Sequence, residues 1–302
     1  MALCLLVACQ NQPAAEQKQQ PNTAKKIGVL MVNHGSRSET WRNALLALET
    51  SVKDRILMDG TVSGTKTAFM EYTEPSIATR LKEFDKEGYT DVIIVPVFLT
   101  VSTHSFDDIP TIVGQKEDPK SMQTLKVENI ERYTPHATVH IAPLLDFTEA
   151  LQNNIVNRVK ALSKDAAHEA LTLIAYGDQT YNTEWTALLN KVGGYVQQQT
   201  GIPHYSYGWC GHVAHYSADS TTAAIKRALH PGNKAIVIPV LVAKDEMFQV
   251  KIIGDGIAKI PDAKTRVVYM ADAILPDKNI ENWVVKAAAE YAGKVTNSVA
   301  KQ

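Results

Sequence analysis

Ile94-Val95-Pro96-Val97 and Val237-Ile238-Pro239-Val240 are two apolar runs, one in each half of a 302-residue chain, each broken by a proline at the same place. Proline removes a ladder donor, so inside a strand it marks an edge or a bulge. Its recurrence at one position of two matching runs predicts a shared backbone feature, and with it the duplication of one domain. A second pair agrees: His34-Gly35-Ser36 stands opposite Tyr176-Gly177-Asp178 in the equivalent turns.

Around these runs, short apolar segments alternate with longer amphipathic ones, the pattern of βα units that feed a parallel sheet. In the first half the spacing predicts strands at residues 27–33, 67–70, 91–99 and 137–142, with helices near 40–56, 75–87, 106–114 and 147–162. In the second half it predicts strands at 171–176, 204–209, 234–242 and 266–270, with helices near 184–199, 221–229, 248–260 and 280–294. The strands of the first half are almost continuously apolar, as strands buried on both faces should be. The expected fold is α/β: two similar lobes, each a four-stranded parallel sheet flanked by helices, with a cleft between them. Residues 1–25 form a leader and tether, 26–163 the first lobe with the site motifs, and 164–302 the second lobe.

A content of 45% hydrophobic and 21% charged residues fits a globular protein. A net charge of -1, with no Lys/Arg block in the body, offers no basis for a nucleic-acid partner. The N-terminal apolar run ends in Leu6-Val7-Ala8-Cys9, which is similar to the cleavage box of a bacterial lipoprotein signal peptide. Cys9 would then carry the lipid that holds the chain at a membrane surface, and the polar residues 10–25 would be the tether. This predicts a periplasmic or membrane-anchored lipoprotein; without that processing the chain would stay in the cytoplasm. Of three cysteines, Cys4 lies in the leader and Cys9 would be acylated, so Cys210 is left as a small buried residue and no intrachain disulfide is implied.

In an open parallel sheet, ligands sit beyond the carboxyl ends of the strands. His34 follows the first strand directly, with Gly35 to allow a tight bend and Ser36 or Ser38 to cap the next helix. His104 lies shortly after the third strand and Glu71 after the second. In Glu71-Tyr72-Thr73-Glu74-Pro75, Pro75 suits the first turn of a helix and Glu74 its dipole. Two imidazoles and a carboxylate form a ligand set for Co²⁺, Fe²⁺, Ni²⁺ or Zn²⁺. The second half has Tyr176 in place of His34 and Met247 opposite His104, and it offers His212 and His215 instead. Tyr205, Tyr207 and Trp209 alternate along a strand and read as core and face residues.

The His-Gly-Ser turn, Phe69-Met70-Glu71 to Pro75, and Val95-Pro96-Val97-Phe98-Leu99 running to His104 and Asp107-Asp108-Ile109-Pro110 together resemble the sirohydrochlorin cobaltochelatases. These are class II chelatases of cobalamin and sirohaem synthesis. The resemblance runs from about Lys26 to about Pro276, with its sharp motifs in the first half. It implies a bilobal chelatase, a lyase that inserts a divalent metal into a tetrapyrrole. Cobalt is the first choice of metal substrate, with iron, nickel or zinc as others, and no nucleotide is required. His34 and His104 would bind the incoming metal and take up pyrrole protons, assisted by Glu71. His212 and His215 are weaker candidates, for contact with the tetrapyrrole or an axial metal position. The loop before His104 reads Val101-Ser102-Thr103, where the family often carries glycine, and so is expected to be stiffer or bent differently. The leader suggests a second reading, an extracytoplasmic haem-, corrinoid- or metal-binding lipoprotein on the same scaffold, using His212 and His215. A solute receptor of the periplasmic-binding type fits two lobes but leaves both strand-end histidines unexplained. A homo-oligomer is compatible with either form.

Overall fold

The computed structural model describes residues 25–146 and 148–299; Cys4, Cys9 and the rest of the leader lie outside them. Strand β1 (Ile27–Asn33) is buried along its whole length because it is hydrogen-bonded on both sides, in parallel, to β2 (Val62–Phe69) and β3 (Asp91–Pro96). With β4 (Thr138–Ile141) the sheet order is β2-β1-β3-β4. The second half repeats it with β5 (Glu169–Ala175), β6 (His204–Trp209), β7 (Lys234–Val240) and β8 (Val267–Tyr269), in the order β6-β5-β7-β8, again all parallel. The expected α/β architecture of two like sheets is therefore present.

The helices are α1 (Glu39–Leu57), α2 (Ile77–Lys86), α3 (Ile109–Ile112), α4 (Pro119–Val127), α5 (Glu149–Leu162), α6 (Asn182–Thr200), α7 (Asp219–Ala228), α8 (Gly254–Ala258), α9 (Ala263–Arg266) and α10 (Lys278–Val299). Two π-helical turns, Thr103–Asp108 and Glu246–Ile253, run into α3 and α8. They replace the starts of the helices expected near 106–114 and 248–260. The α4 helix was not expected, although its signal is in the sequence: Asp118 accepts from the Ser121 amide, with Pro119 at the first helical position. Pro75 precedes its helix rather than opening it, because Ser76 is the N-cap of α2 and accepts from the Thr79 amide at 3.2 Å. Glu74 bonds the Ser76 amide directly, a more specific role than a dipole partner.

The paired prolines have a simple cause. Val97 donates to Val32 O on the β1 side, so the donor that Pro96 lacks would face β4, whose pairing has already ended at Ile94 and Ile141. Pro239 likewise lies past the last β7–β8 pair, Val237 with Tyr269. The shared feature is a strand end that outruns its neighbour, and neither an edge nor a bulge is needed.

Helices α1, α5, α6 and α10 fill the space between the two sheets, where one apolar cluster draws on both halves, from Val29, Val95 and Leu48 to Leu173, Ile238 and Val284. Within it the halves exchange their last helices: α10 packs on α1 and β3 of the first sheet, and α5 packs on α6 and β7 of the second. Asn154 donates to Ile274 O at 3.1 Å and Arg158 to Pro239 O at 2.8 Å, while Arg55 reaches Asn282 at 2.7 Å. Smaller clusters cover the outer faces, around Phe84 and Ile94 in the first half and around Ile225 and Val237 in the second. Among the described residues no helix is long and apolar enough to cross a membrane.

Candidate functional site

The strand order reverses between β1 and β3, since the chain moves from β1 outward to β2 and then back across to β3. The carboxyl ends of those two strands therefore flank the crevice where such sheets bind ligands. His34 stands at the end of β1 and His104 in the π-helical turn after β3, with their ring centroids 4.6 Å apart and nearly perpendicular. Glu71 enters from the end of β2. One ligand atom from each of His34, Glu71 and His104 lies within 4.8 Å of the others, so the three predicted residues can hold one metal ion.

The turn that presents them is built from backbone. Met70 donates to Asn33 O and Glu71 to His34 O, continuing the β1–β2 contact past the strands. Gly35 adopts φ +104, and a Cβ there would fall 2.0 Å from the Glu71 carbonyl oxygen, so the close approach of the two loops requires glycine. Ser38, not Ser36, caps α1. In the other loop, Ser102 takes the extended geometry of an N-cap and forms a reciprocal capping box with Ser105, which is why this loop needs a hydroxyl residue rather than glycine.

The hydrogen bonds fix the tautomers. His34 Nδ1 donates to Gly35 O at 3.0 Å and His104 Nδ1 donates to the buried Asp108 Oδ2 at 2.8 Å. Each neutral ring then keeps its lone pair on Nε2, the second-shell arrangement that orients a metal-binding histidine. His34 Nε2 faces Glu71 Oε1 at 3.2 Å, so a lone pair meets a carboxylate oxygen and the gap calls for a cation or a proton. Burial, reinforced by the neighbouring His104, pushes His34 down to about 3. Burial alone would also lower His104, but the bond to Asp108 and the charges of Glu71, Asp108 and Asp178 raise it above its ordinary value. Burial raises Glu71 against the pull of His104 and of Tyr72. Tyr72 itself goes up to about 12 through burial and the Glu71 carboxylate.

The cluster opens into a cleft of about 480 Å³ between the lobes. Its far wall is aromatic: Tyr176 and Tyr216 exchange a hydrogen bond at 3.1 Å, Tyr216 reaches the His212 ring at 3.1 Å, and Phe248 stacks edge-on to Tyr176. His212 lines this cleft, and burial together with His104 lowers its pKa. His215 is not among the cleft-lining residues; it ends the short turn after His212 in a left-handed conformation. Arg37, the one basic side chain among the described lining residues, stands 5.4 Å over the Tyr72 ring. Cys210 is fully buried beneath the wall, its thiol pushed up by desolvation, as a small core residue should be.

The second lobe lacks all three ligand positions. Cys210 and Gly211 donate to Ala175 O and Tyr176 O just as Met70 and Glu71 donate to Asn33 O and His34 O, so Gly211 is the counterpart of Glu71. A side chain at Gly211 would strike the Tyr176 ring at 2.7 Å. Tyr176, Gly211 and Met247 thus stand where the first lobe has His34, Glu71 and His104. The sequence matches the 209–216 loop to the Glu71 loop by its place after a strand; the pairing of Glu71 with Gly211 rests on hydrogen bonds past the strand ends.

The CbiX family model matches residues 28–162, the half that holds the cluster. The sirohydrochlorin cobaltochelatase of Methanococcoides burtonii is 35% identical over 98 residues, 32% of this chain and 70% of that protein. Over both lobes the fold is similar to SirB from Bacillus subtilis with Fe3+, with a TM-score of 0.66 and 17% identity over 90% of this chain and 98% of that one. It is also similar to the cobalt complex of the sirohydrochlorin chelatase SirB from Bacillus subtilis subspecies spizizenii, with a TM-score of 0.60 and 16% identity over 89% and 96% of the two chains. With its ligand cluster in the matched half and its second sheet repeating the first, the chain belongs to the family of CbiX and the sirohydrochlorin cobaltochelatases.

Proposed function

We propose that this protein inserts a divalent metal into a tetrapyrrole, cobalt into sirohydrochlorin, without a nucleotide. The observation that carries the reading is the convergence of His34, Glu71 and His104, with ligand atoms within 4.8 Å, at the mouth of a cleft with an aromatic far wall. A metal dication replaces two pyrrole protons, so the site must both deliver a cation and accept protons. His34, held neutral by burial, offers a ligand that protons do not compete for at neutral pH. His104, backed by Asp108, takes up one pyrrole proton as its Nε2 hands the metal to the macrocycle, and Glu71, whose carboxyl burial holds above its usual range, takes the other. Glu71 completes the ligand set and screens the dication. The aromatic wall of Tyr176, Tyr216 and Phe248 suits the face of a flat macrocycle.

The test is direct. Purified protein with sirohydrochlorin and Co²⁺ should shift the tetrapyrrole absorption spectrum faster than buffer, equally with and without ATP. His104→Ala should abolish the gain, and a rate equal to buffer for the parent protein would reject the reading. The sequence around Cys9 further supports a lipid anchor at a membrane surface. Cys9→Ala should then release the protein from the membrane fraction of cells.

A further inference from the structure

The π-helical turn Thr103–Asp108, which carries His104, is held at both ends by the other lobe. At its start the Thr103 amide donates to Asp178 Oδ2 at 3.0 Å. Near its end Tyr181 donates its hydroxyl to Asp107 Oδ2 at 2.9 Å, and the Tyr181 ring lies edge-on to Phe106 at 6.0 Å. Asp178 is itself fixed, since its Oδ1 accepts from the Thr180 and Tyr181 amides at 2.8 and 3.0 Å. Both holding residues come from the loop after β5, the counterpart of the loop that presents His34. The duplicated lobe has kept that loop while losing its ligands.

The opposite half of the molecule has the reciprocal contact. Ser36 donates to Asp245 Oδ2 at 2.7 Å, and Ser38 and Thr40 donate to Glu246 at 2.9 and 3.0 Å, at the start of the other π-helical turn. That turn carries Met247 where the first carries His104, while Ser36 and Ser38 lie in the turn that presents His34, so the twin contact braces the His34 loop and the hold on His104 is left to Asp178 and Tyr181.

We propose that Asp178, seconded by Tyr181, is a positioning residue that sets the place of the His104 imidazole from the opposite lobe, so that the ligand-free lobe completes the metal centre. This rests on the reading of His34, Glu71 and His104 as metal ligands. Outer partners of metal ligands change affinity by roughly 10–100-fold when removed.

The probe is Co²⁺ alone, without tetrapyrrole, read by its visible ligand-field spectrum and by titration, so that direct contact of Asp178 with the macrocycle plays no part. Asp178→Asn keeps Oδ1 for the Thr180 and Tyr181 amides but turns an amide N–H toward the Thr103 N–H. It should weaken Co²⁺ binding about tenfold and alter the spectrum. Tyr181→Phe, which removes one oxygen, should act in the same direction and carries the test if the first variant does not fold. Asn282→Ala, which breaks the Arg55 contact between the lobes away from both ligand turns, should leave spectrum and affinity as in the parent. Parent-like binding in both Asp178→Asn and Tyr181→Phe would overturn the inference, as would an equal loss in Asn282→Ala, which would mean mere loosening of the lobes. A parent protein that binds no Co²⁺ would overturn the metal-ligand reading and this inference with it.

Discussion

His34 and His104 are a few ångströms apart yet are driven in opposite directions, and the difference is one carboxylate. His34 Nδ1 faces a neutral carbonyl, while His104 Nδ1 faces Asp108. His34, at about 3, carries no proton for a metal to displace near neutrality, whereas His104, held above its ordinary value by Asp108, keeps its proton to higher pH. Co²⁺ affinity should therefore rise with pH up to the His104 pKa, by about tenfold per unit for one displaced proton, and level off above it. Asp108→Asn should move that break toward acid; isothermal titration across pH 5.5–8.5 reads both, and a break unmoved by the substitution would count against the assignment. Gly35 is the other residue with a sharp consequence. Gly35→Ala combines a positive φ with a Cβ placed against the Glu71 carbonyl, so it should cost roughly 1–3 kcal/mol by thermal denaturation and displace Glu71, with loss of metal binding. The family motifs made His34, Glu71 and His104 readable in the sequence. His212 and His215 looked equal there, and only the left-handed end of their turn separates one from the other.

At the scale of elements, strands were easier to place than the turns that follow them. A strand buried on both faces writes its apolar run directly into the sequence, as in β1 and β5, whereas the end of β3 is set by its last pair with β1, Val32 with Pro96. The π-helical turns have no period of their own, and along the sequence they read as parts of ordinary helices. Yet the first of them decides the chemistry, since it puts His104 and Asp108 on one face and is closed by the Ser102–Ser105 box. Ser102→Ala should lower stability by about 1 kcal/mol in urea unfolding and weaken Co²⁺ binding with it. A loss of stability with unchanged metal affinity would separate the cap from the site.

At the scale of the molecule, the repeat in the sequence and the bodies in space are drawn differently. Residues 26–163 contain His34, Glu71 and His104 but lack α10, which covers α1 and β3, and their own α5 belongs against β7. A protein made of that segment alone would expose the apolar faces that α10 and the second sheet bury. It should aggregate or self-associate, and gel filtration with near-ultraviolet circular dichroism would reveal a folded monomer if this is wrong. The sequence by itself determined the parallel α/β sheets, their duplication and the candidate triad of His34, Glu71 and His104, because these are written in short-range apolar patterns and in motifs whose residues sit beside strand ends. Only the tertiary structure decided the exchange of the last helices, the turning of His212 rather than His215 to the cleft, the blocking of Gly211 by Tyr176 and the hold of Asp178 on the turn of His104. These depend on which surfaces of distant segments meet, and side-chain packing between lobes leaves no periodic trace along the chain.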